Sequence, residues 1–82
     1  MDKVIVRFQN IKKHQLVDLE IPLDITAEDL IFGLNRAYSL GIKEDAISTS
    51  YLACEQPMVL IRGKSTLRAL GVRDGSLIRF TL

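Results

Sequence analysis

The sequence predicts an α+β domain in which one amphipathic helix crosses a mixed sheet. Three features carry this expectation: two adjacent alternating segments at the front of the chain, a well-capped helical segment behind them, and an Asp-Gly turn feeding a last alternating segment, RDGSLIRFTL, at residues 73–82. Of the 82 residues 48% are apolar and 26% charged, an ordinary globular composition that supports a packed core. One domain over residues 1–82 is expected, because a second core would leave each half below the ~40 residues at which folds usually need metal or disulfide support.

Residues 3–9, KVIVRFQ, place Val4, Val6 and Phe8 on one face and Ile5, Arg7 and Gln9 on the other. Residues 16–21, LVDLEI, repeat the pattern with Val17, Leu19 and Ile21 facing inward. A hairpin through NIKKHQ, residues 10–15, then pairs Phe8 with Val17, Val6 with Leu19 and Val4 with Ile21. In that register Arg7 faces Asp18 on the outer side, a cross-strand pair that contributes ~0.2–1 kcal/mol.

Pro22 ends the second strand, and Thr26 with Asp29 three residues on forms a variant capping box, with Ile25 able to staple onto Leu30. The helix is expected to run to about Leu40 and end at a left-handed Gly41, with Ile42 folding back. Leu30, Leu34, Ala37 and Tyr38 share its buried stripe, with Ile31 at the edge, while Phe32, Asn35, Arg36 and Ser39 point away. Gly33 in mid-helix suggests close packing against another element. Beyond a loop around KED, residues 47–53 (ISTSYLA) read as a polar strand, EQPM as a turn and VLI at 59–61 as a short strand. Residues 66–72 (TLRALGV) read as a tight helical turn, and the last strand turns Ile78, Phe80 and Leu82 inward.

The order β-β-α-β-β-turn-β, with a right-handed crossover after the hairpin, makes the first and last strands parallel central neighbours. That architecture is the β-grasp, or ubiquitin-like roll.

The 11 basic and 10 acidic residues leave a net charge of +1, so no global field points to nucleic acid or an anionic membrane. A single cysteine, Cys54, allows no internal disulfide, which favours an intracellular address. The amino terminus, MDKVIVRFQN, fits neither a signal peptide nor a membrane span. His14, the sole histidine, falls in the hairpin loop, and Cys54 has no second thiol, so neither a metal-ligand set nor an activated nucleophile is expected, and no cofactor. Lys12, Lys13 and His14 read as a solvated basic tip.

Over nearly its whole length the chain resembles ubiquitin-like domains, through VIVRF and VDLEIP, the capped helix TAEDLIFGLNRAYSLGI, and the ending STLRALGVRDGSLIRF. Among these it is most similar to the small stand-alone bacterial YukD/EsaB-type proteins, in chain size, in the DG turn before a short last strand and in lacking a Gly-Gly tail. The resemblance implies a cytoplasmic, non-conjugated and non-enzymatic accessory or regulator of a type VII (Ess-type) secretion system. It also implies a partner that is another secretion component, such as the cytoplasmic domain of a membrane subunit, with self-association as a further option and neither nucleic-acid binding nor membrane insertion. An alternative is a signalling adaptor of the Ras-associating or UBX type. Tail chemistry is not expected, since Leu82 follows a strand directly and its side chain would block the narrow channel that a terminal glycine enters.

The outer sheet face, where ubiquitin carries an apolar receptor patch, is expected to be polar here, with Ser48 and Ser50 on the third strand and Arg79 and Thr81 on the last. Ile5, Arg7, Leu77 and Arg79 on this face are candidate partner contacts, with Arg7 and Arg79 side by side for an acidic or mixed partner. Phe32 with Arg36 on the helix is the second candidate, an aromatic anchor flanked by Leu40 or Ile31.

Overall fold

The computed structural model describes residues 2–81, so the inward placement expected for Leu82 lies outside the described residues. Strands β1 (Lys3–Asn10) and β2 (Gln15–Pro22) lead into helix α1 (Ala27–Tyr38). A 3-10 helix (Glu44–Thr49) and strands β3 (Leu52–Glu55), β4 (Val59–Ile61) and β5 (Leu77–Phe80) follow. The sheet order is β2-β1-β5-β3-β4, with β1 and β5 parallel at its centre and every other pair antiparallel. This is the ubiquitin-like β-grasp, and the hairpin register is the one that the alternation dictates: Val4 opposite Ile21, Val6 opposite Leu19, Phe8 opposite Val17 and Arg7 opposite Asp18.

One face of the sheet is sealed by α1. Val6, Phe8, Leu52, Cys54, Ile61, Ile78 and Phe80 from the strands meet Ala27, Leu30, Ile31 and Leu34 from the helix in a single buried cluster. Ile31, fully buried, is the centre of the helical stripe rather than its edge, and Ala37 is exposed. The helix starts as its sequence requires, with the Thr26 hydroxyl accepting from the Asp29 amide at 3.1 Å and the Asp29 carboxylate accepting from the Thr26 amide at 3.3 Å.

Its other end differs from expectation. The helix stops at Tyr38, and Ser39 takes the left-handed conformation (φ 53°), with Gly41 left-handed two residues later. Two side chains explain the early stop. The Asn35 side chain donates to the Ile42 carbonyl at 2.8 Å and accepts from the Ile42 amide at 3.0 Å, pulling the chain back. Lys13 Nζ donates to the Tyr38 and Ser39 carbonyls at 3.1 and 3.0 Å, so this lysine caps the negative end of the helix instead of standing free in solvent. Gly33 packs against nothing: it is exposed, and a Cβ built there meets no atom within 4 Å.

The polar strand expected at 47–53 is a second difference. Residues 44–49 coil into the 3-10 helix because their hydroxyls bond back to the backbone: Thr49 Oγ1 and Ser50 Oγ both donate to the Ala46 carbonyl, at 3.1 and 2.7 Å. The strand starts only at Leu52, which is fully buried. Residues 66–71 form a turn, with the Thr66 carbonyl accepting from the Leu70 amide and Leu67 plugged into the core.

Candidate interaction surfaces

The face of the sheet away from α1 carries the outward residues of all five strands. Register decides its chemistry. Arg7 lies opposite Leu77, and Arg79 lies opposite Gln9 on one side and Ala53 on the other, so the two guanidinium groups are not register neighbours. Each turns to its own carboxylate: Arg7 Nε is 3.6 Å from Asp18 and Arg79 Nη2 is 3.1 Å from Glu55. The expected basic pair is therefore two separate ion pairs on the two flanks of Leu77. Exposed pairs of this kind contribute ~0–1 kcal/mol each, so they set the charge pattern of the face more than its stability. Arg79 is the more deeply set of the two cations, with its Nε buried and without a protein partner.

Between and beside these pairs the face is apolar. Ile5 and Leu16 are 54% and 55% exposed, Leu60 49% and Met58 89%. A groove of about 390 Å³ is lined by Leu77, Arg7, Leu16 and Glu55, and another of about 310 Å³ by Ala53, Met58, Leu60 and Arg79. The expectation of a polar face fails here, because Ser48 and Ser50 belong to the 3-10 segment and the outward positions of β3 and β4 are Ala53, Glu55 and Leu60. Leu16, which the alternation of β2 already turns outward, and Ala53, Met58 and Leu60 were not among the contacts expected from the sequence. The alternation of VLI around an outward Leu60 is the signal that would have found the last of them.

Phe32 and Arg36 sit apart from this face, on the outer side of α1. The Arg36 guanidinium carbon lies over the Phe32 ring, 5.6 Å from its centroid, and the ring remains 41% exposed. Leu40 and Ile31, the expected flanks of an aromatic anchor, are both buried. Phe32 is bordered instead by Glu28, Asp29, Glu44, Ile47 and Ser48, which line a groove of about 330 Å³ between α1 and the 3-10 helix.

Cys54 is buried at the centre of β3, and burial pushes its thiol up from the ordinary value, with a weaker opposing hydrogen bond from Ser76. A protonated, enclosed thiol is a poor nucleophile. His14 is exposed at the hairpin turn with φ 54°. Among the described residues no three His, Cys, Asp or Glu side chains are grouped to hold a metal ion, and no helix is long and apolar enough to cross a membrane.

Residues 5–80 match the family model described as WXG100 protein secretion system (Wss), protein YukD. The chain belongs to this family. It is a ubiquitin-like component of a WXG100 secretion system. No individually curated protein matches its sequence. Solved structures agree on the fold. The C-terminal ubiquitin-like domain of mouse tubulin-specific chaperone e superposes with a TM-score of 0.69 at 15% identity, over 99% of this chain and 89% of that one. Caldiarchaeum subterraneum ubiquitin gives 0.66 at 15% identity, over 99% and 96%. The ubiquitin-like domain of the Mycobacterium tuberculosis type VII secretion system protein EccD1 gives 0.54 at 19% identity, over 96% and 97%.

Proposed function

We infer that the protein is a non-enzymatic docking module of its secretion system, acting in the cytoplasm by binding another component of the machine rather than by conjugation or catalysis. The observation that carries this reading is the open sheet face: exposed Ile5, Leu16, Leu60 and Met58 surround two ion pairs around a half-buried Leu77. An apolar centre framed by charges whose positions are fixed by strand register is the make-up of a specific interface. Enclosure of Cys54, whose thiol burial holds in the protonated form, supports a role without covalent chemistry.

Affinity capture of the intact protein from its native cell in mild detergent tests the reading. Recovery of a secretion-system component, reduced by Leu60→Glu and by Arg79→Glu while both variants keep the wild-type circular dichroism spectrum, is the expected result. Capture of no such component by a folded protein would overturn it. Self-association through the same face would appear as a concentration-dependent mass lost in Leu60→Glu.

A further inference from the structure

The groove beside Phe32 lies away from the open sheet face and has a chemistry of its own. Glu28, Phe32 and Arg36 follow one another at four-residue spacing, so they form a single stripe along α1. The 3-10 helix supplies the facing wall with Glu44, Ile47 and Ser48. Phe32 contributes an aromatic ring that is 41% exposed, and Ile47 is buried beneath the groove. Among the described residues, Asp2, Asp18, Glu20, Asp24 and Glu55 all have a cationic partner within 4 Å. Glu28, Asp29 and Glu44, the three carboxylates of this groove, have none. Among the described residues only Asp45, next to Glu44, and Asp74, which accepts from the Ile5 amide, share that lack. Three of the five carboxylates without a cation within 4 Å thus gather around the Phe32 ring, with Arg36 over the ring but within 4 Å of none of them.

We propose that this groove receives a basic segment of a partner protein, with a Lys or Arg side chain laid against Phe32 between Glu28 and Glu44 and an apolar neighbour resting over Ile47. A cation there gains from two sources that act together, the negative face of the ring and the carboxylates on either wall. Arg36 already occupies one approach to the ring at 5.6 Å and does not line the groove, which leaves the Glu28 side of the stripe for the incoming group. Acidic or purely apolar segments do not fit, since they would meet three unpaired carboxylates. The proposal rests on the docking-module reading but assigns a second surface, distinct from the sheet face.

The test is an amide NMR titration of the whole protein with a short synthetic peptide of alternating leucine and arginine. A control peptide carries citrulline, the neutral isostere, in place of arginine. The arginine peptide should shift resonances of residues 28–36 and 44–48 and bind less tightly as salt rises. The citrulline peptide should bind weakly or not at all. Phe32→Ala, Glu28→Gln and Glu44→Gln should each weaken binding by roughly threefold or more, the range that a lost cation-π or partly exposed charge contact gives. Shifts clustered around Arg7 and Arg79, equal binding of both peptides, or affinity unchanged in Phe32→Ala would each overturn the proposal. Native-cell capture separates the two readings. Full recovery of the secretion component by folded Phe32→Ala overturns the groove alone, whereas no recovery by the wild-type protein overturns the docking module itself.

Discussion

The Asp74 carboxylate accepts a 2.7 Å hydrogen bond from the backbone amide of Ile5, 69 residues earlier in the sequence. The Ile5 carbonyl in turn accepts from the Gly75 amide at 2.9 Å, and Gly75 holds the positive φ (85°) that lets the turn bring its amide round. Together they latch the start of β5 onto β1 and so place Leu77 beside Arg7. Asp74→Ala should lower stability by about 1 kcal/mol, with Asp74→Asn closer to wild type because it keeps an acceptor. Urea unfolding monitored by circular dichroism measures the difference, and equal midpoints for all three proteins would contradict the latch.

Gly33 offers a gain. It sits in the interior of α1, exposed, with open space where a Cβ would go. Gly33→Ala should therefore stabilise the protein by roughly 0.5–1 kcal/mol by restricting the unfolded chain. A thermal midpoint that fails to rise would contradict this reading of an open, unstrained helix position.

Asn10 ends β1 facing inward, 1% exposed, and neither its amide nitrogen nor its carbonyl oxygen has a protein partner. A buried polar group without partners opposes folding, so an apolar side chain of similar size should be accepted. Asn10→Leu is expected to raise stability by about 1 kcal/mol. Equilibrium denaturation decides the sign, and a loss would show that this amide is bonded after all.

The Arg68 guanidinium joins three segments, 3.0 Å from both Asp2 and Asp24. Its hydrogen bond to Asp24 holds that carboxyl below its ordinary value of 3.8. A carboxyl lowered in the folded state adds stability above its unfolded value, and that stability is lost as pH falls through 3.8 toward the lower folded value. Arg68→Ala should flatten this part of the acid-unfolding curve, read as stability against pH at low salt. An unchanged slope would show that the corner adds nothing, as many exposed pairs do.

The hairpin and its Arg7–Asp18 pair were legible in the sequence because two runs of strict alternation joined by a short loop allow only one register that buries both apolar sets. The helix start was legible for a similarly local reason, the Thr26 and Asp29 capping box. Its end was not, since Asn35 and Lys13 act through partners seven and 25 residues away. ISTSYLA misled because Ile, Thr and Tyr favour strands, whereas here the Thr49 and Ser50 hydroxyls bend the chain into a 3-10 helix. That one shift moved Ser48 and Ser50 off the sheet and gave Glu55 to Arg79, so half of the outer face could not be read before β3 was placed. Phe32 was correctly singled out as exposed, and Glu28 and Asp29 beside it lie on the same helix, yet the facing wall with Glu44, Ile47 and Ser48 took shape only once residues 44–49 were seen to coil.

The parallel pairing of β1 with β5 has a consequence for the newborn chain. β1 leaves the ribosome well ahead of its central neighbour β5, and no segment between them takes that place in the sheet. Until Ile78 and Phe80 emerge, the hairpin and helix have only part of the apolar cluster to close over, and one edge of β1 stays unpaired. Folding of this domain is therefore expected to be completed only once β5 has been synthesised, with one edge of β1 open until then.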